Sequence, residues 1–274
     1  MMLARLASAS ILMPLVLASI WFGRETLALL VAAACTVGVV EVSRLFERAG
    51  WRPAWPISLM GAIVITIAPL APGSHVGALA LALLVLGPGL YFLAADLPAQ
   101  RALPDWGLTI LTGLFVGWPL AQANALRMAD DQVLVQGFVV ERGVVLLIVA
   151  ATATWISDSG AYLVGRAVGR RPFFAHLSPR KTAEGAAAAL VLPVIPTLVF
   201  APVLGWPLVF AIVLGLSCGA AAIAGDLLES GLKRLVGAKD AGVIVPGHGG
   251  LMDRIDGQIM VLVTLALMTG YIWP

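Results

Sequence analysis

The sequence contains few charged residues. They occupy 12% of its 274 positions, while hydrophobic residues occupy 60%. A soluble domain carries about 25% charged residues. A water-soluble core of this size could not bury so much apolar surface, which excludes an ordinary soluble globular protein and favours a chain that folds in a bilayer. The net charge of +2 is too small to indicate nucleic-acid binding.

Cysteine and one common nucleotide-binding motif are also scarce or missing. The two cysteines, Cys35 and Cys218, both lie inside apolar runs. We therefore expect free buried thiols, and a disulfide framework is excluded. The chain contains no Gly-x-x-x-x-Gly-Lys-Ser/Thr sequence, which excludes a P-loop NTPase.

Long apolar runs are abundant, and a membrane-spanning helix needs about 20 such residues. The chain is predicted to be an all-α polytopic membrane protein forming one domain over residues 1–274. The first run lacks a cleavage site and is interpreted as a retained helix. The third run is short and contains Pro69 near its end, so we expect it to be tilted, distorted or only partly inserted. The nine predicted spans are 3–23, 26–45, 57–72, 76–95, 106–126, 143–165, 185–204, 206–229 and 255–273.

Lysine and arginine predict the orientation. With a cytoplasmic N-terminus, all but three of the 17 basic residues lie on the inner side; the exceptions are Arg24, Arg127 and Arg142. The positive-inside rule favours this topology, which places the C-terminus outside. Two inward loops, about 166–184 and 230–254, are especially basic. Attraction to anionic lipid would by itself explain such loops.

Asp158 ends an apolar run in the sixth predicted span. An ionisable residue in a span costs roughly several kcal/mol, which makes it a functional candidate. Asp158, Tyr162 and Arg166 are spaced at i, i+4 and i+8, so one helical face should carry all three. The alternative interpretation is an ion pair between Asp158 and an arginine that holds two helices together.

A second stripe follows in the eighth span. Asp226 is followed by Glu229 or Ser230 and then by Lys233, at i, i+3 or i+4, and i+7. The stripe begins with an acidic group in the membrane and ends with a basic group at its cytoplasmic end. This pattern favours a site that binds both a cation and an anion. A structural ion pair between two helices is the less favoured interpretation.

A glycine-rich segment, residues 246–256, precedes the last span. Its glycines could present backbone N–H groups to phosphate oxygens. Asp253 and Asp256 stand at i, i+3 where a helix should begin, and carboxylates are the ligands that Mg²⁺ prefers. His248 alone would more often be structural, but in this company a functional role is favoured.

The residues that begin the seventh span, 178–185, form a third cluster. Its lysine and arginine could hold a phosphate and neutralise charge on a leaving pyrophosphate. Thr182 could cap the helix, and Glu184 suits its first turn. These capping roles are the structural alternative.

Two glycine pairs have the spacing of close helix packing. They are Gly113 with Gly117, and Gly165 with Gly169. We interpret both as packing positions without a chemical role. Such spacing also permits a homodimer without requiring one.

These segments resemble the phosphatidate cytidylyltransferase (CDP-diacylglycerol synthase) family. The similarity is dense from about 155 to 257, and the remaining helices of the family vary widely, as we expect for 1–142 here. Ala183 departs from the family, where a bulkier residue is usual. The matching segments are Asp158–Arg166, Ser178–Gly185, Gly225–Ser230, Ser230–Arg234, Lys239–Asp240 and Pro246–Asp256.

The resemblance implies Mg²⁺-dependent transfer of a cytidylyl group from CTP to phosphatidate, with a second metal ion left open. It implies metal ligands at Asp226 and Asp253, supported by Asp256 and Glu229. The catalytic and phosphate-holding residues that it implies are Lys181, Lys233, Arg234, Lys239, Asp240 and His248. The substrate-binding residues that it implies are Ser178, Thr182, Asp158, Tyr162, Arg166, Ser230, Gly249, Gly250 and Arg254.

Two other functions stay open at this point. A CTP-dependent polyprenol or lipid kinase would transfer the γ-phosphoryl group and release CDP. A cation-coupled transporter would use Asp158 and Asp226 without nucleotide turnover. The predicted location is a bacterial inner membrane, with the site facing the cytoplasm.

Overall fold

Helices dominate the computed structural model, which describes residues 13–95, 97–178, 181–238, 242 and 249–272. A 3₁₀ turn, Ala68–Leu70, follows the third helix and contains Pro69, so the predicted distortion is confirmed. A π-helical turn, Met268–Ile272, follows the last helix. The helices are α1 (Met13–Phe22), α2 (Arg24–Arg48), α3 (Trp55–Ile67), α4 (Val76–Ala94), α5 (Ala99–Arg127), α6 (Arg142–Val168), α7 (Ala183–Val191), α8 (Val194–Leu204), α9 (Leu208–Leu235) and α10 (Met252–Leu267).

Five helical stretches in the described part of the chain are long and apolar enough to cross a bilayer. They are Arg24–Arg48, Val76–Ala94, Arg142–Val168, Ala183–Leu204 and Leu208–Leu235. Many of their large apolar side chains are exposed to the surroundings, as lipid-facing residues would be. The chain is therefore a helical integral membrane protein. The count of nine spans and their direction stay predictions.

A β-hairpin interrupts the helical fold between α5 and α6. Strands β1 (Gln132–Val135) and β2 (Phe138–Glu141) pair antiparallel, with Leu134 opposite Val139. The turn residues Gln136 and Gly137 have φ of 50° and 88°, the left-handed geometry of a tight hairpin. The predicted all-α class holds for the described chain apart from this short hairpin, which forms because a valine-rich run favours strand pairing.

The predicted seventh span, 185–204, is not one regular helix. Helix α7 ends at Val191, and α8 begins at Val194. Pro193 has no N–H and disfavours a continuous helix. The Thr197 hydroxyl donates to the carbonyl of Ala211 at 2.7 Å, which ties α8 to α9.

Helix α9 is longer than predicted. It continues to Leu235, so Lys233 and Arg234 lie in its last turn and not in a loop. No breaker occurs before Gly237, whose φ of 68° lies in the left-handed region. The basic residues are therefore held on the same rigid element as Asp226.

The chain divides into two compact units. The first contains residues 1–128 and 235–253, and its described helices pack closely where glycine is present. A Cβ atom on Gly117 would lie 2.7 Å from the Cα of Ala62, and one on Gly113 would lie 2.8 Å from Leu84. The packing role predicted for this pair is confirmed. The prediction of one membrane domain stays a prediction.

The second unit contains residues 129–234 and 254–274. Helices α6 and α7 meet at glycines: a Cβ on Gly185 would lie 2.7 Å from the carbonyl oxygen of Ala161. Gly165 approaches Thr182 in the same contact, which agrees with its predicted packing role. On another side, Gly225 of α9 touches the backbone of α10 at Asp256. These contacts bring the polar positions of α6, α7, α9 and α10 together.

Candidate active site

A cavity of about 560 Å³ lies in the second unit. Its walls come from α6, α7, α9 and the segment that precedes α7. Small residues such as Gly185, Ala189 and Ala222 line it, and their short side chains leave the space open. The volume falls within the range of small-molecule sites, about 300–1,000 Å³.

One face of α6 gives the cavity its polar wall. Asp158, Tyr162 and Arg166 all line the cavity, so the predicted stripe is confirmed. Arg166 Nη1 donates to the Tyr162 hydroxyl at 3.0 Å. A carboxylate, a phenol and a guanidinium therefore face the same space.

An ion pair between Lys181 and Asp226 joins two walls of the cavity. Both side chains are partly exposed, at 26% and 42%, so solvent and solutes can reach them. Lys181 comes from the segment before α7, and Asp226 comes from α9. The cluster predicted at 178–185 and the stripe predicted on α9 thus meet at this pair.

Backbone pairing fixes the position of Lys181. The N–H of Phe173 donates to the Lys181 carbonyl at 2.9 Å, and the N–H of Ala183 donates to the Arg171 carbonyl at 2.9 Å. The N–H of Lys181 donates to the Ser178 carbonyl at 3.2 Å. The segment therefore folds back on itself and presents the lysine to the cavity.

The start of α7 shows the contacts that were expected if Thr182 and Glu184 have a structural role as helix-capping residues. The Thr182 hydroxyl accepts the Gly185 N–H at 3.2 Å, and Thr182 also lines the cavity. Glu184 accepts the N–H groups of Arg170 and Arg171 at 3.1 and 3.3 Å. Glu184 thus closes the loop that carries Lys181, and Thr182 combines a cap with a place in the cavity wall.

Three carboxylates lie within electrostatic reach of one another. Asp158 interacts with Asp226, and Asp256 interacts with both. Their mutual repulsion is offset by Lys181 and Arg254 at Asp158 and by Lys233 at Asp256. This arrangement suits a position at which a cation binds.

The last turns of α9 carry further predicted residues. Glu229 and Lys233 form an ion pair one turn apart, and both side chains are largely buried. The Ser230 hydroxyl lies 3.5 Å from an Asp226 oxygen. Arg234 Nε donates to the Leu177 carbonyl at 3.3 Å, which ties the loop before Ser178 to α9.

The donor chemistry fits a magnesium ion that shares its coordination with a substrate. Across the residues that the structure describes, no group of three His, Cys, Asp or Glu side chains could hold a metal alone. Mg²⁺ usually takes only one or two carboxylates, with phosphates and water completing its shell. Asp226, with Asp158 and Asp256 near it, meets that requirement.

The glycine-rich segment is described only from residue 249 onward, and its residues 249–253 belong to the first unit. The Gly250 N–H donates to Asp253 Oδ2 at 2.8 Å, and Gly249 has a φ of 84°, so Asp253 is fixed at the start of α10. Asp226 belongs to the second unit, and a shared cation for the two aspartates stays a prediction. The predicted residues Lys239, Asp240 and His248 lie outside the described residues.

Glu41 is a carboxylate that the sequence interpretation missed. It lies in α2, is 2% exposed, and accepts the N–H groups of Leu251 and Met252 at 3.0 Å each. Its position in the second predicted span, 26–45, was the available signal, because an ionisable residue in a span is a functional candidate.

Comparisons with known proteins agree with this chemistry. A model described as "Cytidylyltransferase family" matches residues 3–272. Bacillus subtilis phosphatidate cytidylyltransferase is 38% identical over 158 residues, which cover 57% of this chain and 55% of the relative. The Synechocystis protein of the same name is 29% identical over 258 residues, with 87% and 85% covered.

Chloroplastic phosphatidate cytidylyltransferase 5 of Arabidopsis thaliana is 41% identical over 119 residues, which cover 43% of this chain and 30% of the relative. The match to the Bacillus protein thus spans about half of that relative, and the match to the plant protein less than a third. This chain therefore aligns with only part of each of these two relatives.

Proposed function

Since this chain belongs to the cytidylyltransferase family, we propose that it transfers the cytidylyl group of CTP to phosphatidate. The products are CDP-diacylglycerol and pyrophosphate. The observation that carries the proposal is the cavity in which Lys181 and Asp226 pair beside Asp158 and Arg166. A carboxylate that binds a cation and basic side chains that bind phosphate thus lie in one cavity of a membrane protein.

In the proposed reaction, a phosphate oxygen of the lipid attacks the α-phosphorus of CTP. A new P–O bond forms as the bond to the β-phosphate breaks, and the electron pair leaves on pyrophosphate. The lipid phosphate is already anionic near neutral pH, so no dedicated general base is needed. Positioning and charge stabilisation supply most of the rate enhancement.

In this proposal, the cationic side chains stabilise the negative charge on the leaving pyrophosphate. Lys181 binds the phosphates of CTP through the ammonium group that it presents to the cavity, and Arg166 binds an anionic oxygen from the α6 wall. Lys233 and Arg234 extend the basic lining by two turns along α9. Mg²⁺, held by Asp226 with support from nearby carboxylates, supplies positive charge at the phosphates when bound.

The cavity also suits a lipid substrate. Apolar groups such as Phe173 and Ile223 line it alongside the charges. The neighbouring α6 residues Leu163 and Val168 are exposed, at 62% and 57%, and such residues face acyl chains in a bilayer. We propose that the phosphatidate headgroup enters the cavity while its tails stay in the membrane.

The finer placement of the protein belongs to the same proposal. We propose nine spans with the N-terminus in the cytoplasm and the C-terminus outside, following the distribution of lysine and arginine. The site then faces the cytoplasm of a bacterial inner membrane, where CTP is available. The glycine pairs that pack helices would also permit a homodimer.

Product analysis tests the proposal. Purified protein is supplied with CTP, Mg²⁺ and phosphatidate, and each component is omitted in turn. We expect CDP-diacylglycerol and pyrophosphate in equal amounts, and neither product when any component is missing. Release of CDP with a phosphorylated lipid would indicate a lipid kinase instead. Cation flux into liposomes without any nucleotide turnover would indicate a transporter.

A further inference from the structure

A buried carboxylate from α2 holds the segment that begins α10. The Glu41 side chain receives two backbone N–H groups, one on each oxygen: Leu251 donates to Oε1 and Met252 to Oε2. The first N–H groups of a helix have no intrahelical partner. A charged acceptor at that end is also favoured by the helix dipole. Glu41 therefore caps a helix that lies 210 residues further along the chain.

Glycines let the loop approach this carboxylate closely. A Cβ atom on Gly242 would lie 2.5 Å from Glu41 Oε1, and one on Gly250 would lie 2.7 Å from Oε2. Both distances are shorter than any normal contact. The loop is thus shaped around the carboxylate on two sides, and a Cβ atom at either position would displace the Glu41 side chain.

The capped segment runs directly into Asp253. The carboxylate of Asp253 accepts the N–H of Gly250 at 2.8 Å, and Met252 beside it is buried. Glu41 fixes residues 251 and 252, while Asp253 is bound to residue 250. A short segment therefore sets the direction of the Asp253 side chain, and the two carboxylate oxygens of Glu41 hold that segment in place.

We propose that Glu41 is a positioning residue that orients Asp253 for the metal-bound nucleotide. The inference rests on the proposed function and on the predicted role of Asp253 as a metal ligand. Groups that orient metal ligands typically change metal affinity or activity by about 10–100-fold when they are removed. Glu41 itself touches no reacting atom and acts through the loop.

Hydrogen exchange measures the contact without any need for turnover. In the full-length protein, Glu41→Gln replaces one acceptor oxygen with an NH₂ group, so one backbone N–H loses its partner. We expect amide exchange in the peptide containing Leu251 and Met252 to quicken at least about tenfold. Glu47→Gln is the matched control, because Glu47 is an exposed residue of the same helix, and it should leave exchange unchanged.

Binding of Mn²⁺ in the presence of CTP gives a second measurement, for which no product is required. We expect Glu41→Gln to weaken this binding by about 10–100-fold, and Glu47→Gln to leave it unchanged. A purely structural residue would lower the yield of folded protein without changing the affinity of the folded fraction. Gly250→Ala approaches the same contact from the loop side and should reproduce both effects, should the first variant not fold.

Either of two results would overturn the inference. Unchanged exchange at residues 251 and 252 would show that Glu41 does not hold the loop. Faster exchange with unchanged Mn²⁺ affinity would show that the loop does not orient Asp253. The proposed function is judged separately by the products of the unmodified protein, so its failure would be recognised even if both variant effects were observed.

Discussion

At the scale of single residues, the ion pair between Lys181 and Asp226 joins two motifs whose spacing in the sequence does not show that they are in contact. We expect Lys181→Ala to reduce kcat by about 10²–10³-fold, the loss that follows removal of one preorganised donor. Arg170→Ala is a suitable control, since Arg170 lies in the same loop and only its backbone N–H contacts Glu184. Steady-state rates with saturating CTP make the comparison, and an unchanged Lys181→Ala rate would remove this lysine from the mechanism.

Asp253 provides a second test at this scale. Asp253→Asn keeps the size of the side chain and removes a negative charge that a divalent cation would need. We expect loss of CDP-diacylglycerol synthesis with normal membrane insertion and thermal stability, both measured on the same purified sample. Normal turnover of CTP by this variant would contradict the metal assignment.

The residues of the site differ in how far sequence could predict them. Asp158, Tyr162 and Arg166 could be grouped because helical spacing alone places them on one face. Glu41 could not be connected with Leu251 and Met252 in this way, because these partners lie 210 and 211 residues away and contribute backbone groups without a side-chain signature. The pairing of Lys181 with Asp226 likewise required the packing of α7 beside α9.

At the scale of helices, the crossing of α9 and α10 depends on Gly225. A Cβ atom there would overlap the backbone of Asp256, so Gly225→Ala must push the two helices apart. We expect a loss of about 1–3 kcal/mol in stability from overpacking, together with a larger loss of activity, because Asp226 and Asp256 would separate. Thermal unfolding in detergent and initial rates report the two effects.

Gly231→Ala supplies the control for that experiment. Gly231 lies in the same helix, and a Cβ atom there would meet nothing within 4 Å. Alanine in a helix is favoured over glycine by about 1 kcal/mol, so this variant should be at least as stable as the parent. Equal damage from both substitutions would mean that helix propensity, and not the crossing, explains the result.

The helices themselves were largely predictable because their apolar composition is strong and their lengths match a bilayer. The interruption at Leu192 and Pro193 was not predicted, since the run 185–204 is apolar on both sides of it. The hairpin of β1 and β2 was missed because residues 127–142 were interpreted only as a connection between two spans. Local sequence cannot decide between these states when packing determines the outcome.

At the scale of the whole molecule, the proposed orientation can be tested with cysteine chemistry. Both native thiols, Cys35 and Cys218, are buried, so they should not react with a membrane-impermeant maleimide in intact vesicles. Gln132→Cys, in the exposed β1, should be labelled from the outside. Ala175→Cys, in the exposed loop before α7, should be labelled only in inverted vesicles. The reverse pattern would contradict the positive-inside assignment.

The cap that α2 provides for α10 has a consequence for biosynthesis. The second partner leaves the ribosome only after a further 210 residues have been translated beyond the first. Until then, the backbone N–H groups at 251 and 252 do not exist, and the early carboxylate must enter the membrane without them. Catalytic competence should therefore arise abruptly, once α10 begins to form, and a nascent chain that stops before residue 251 should be inert however many spans it has inserted.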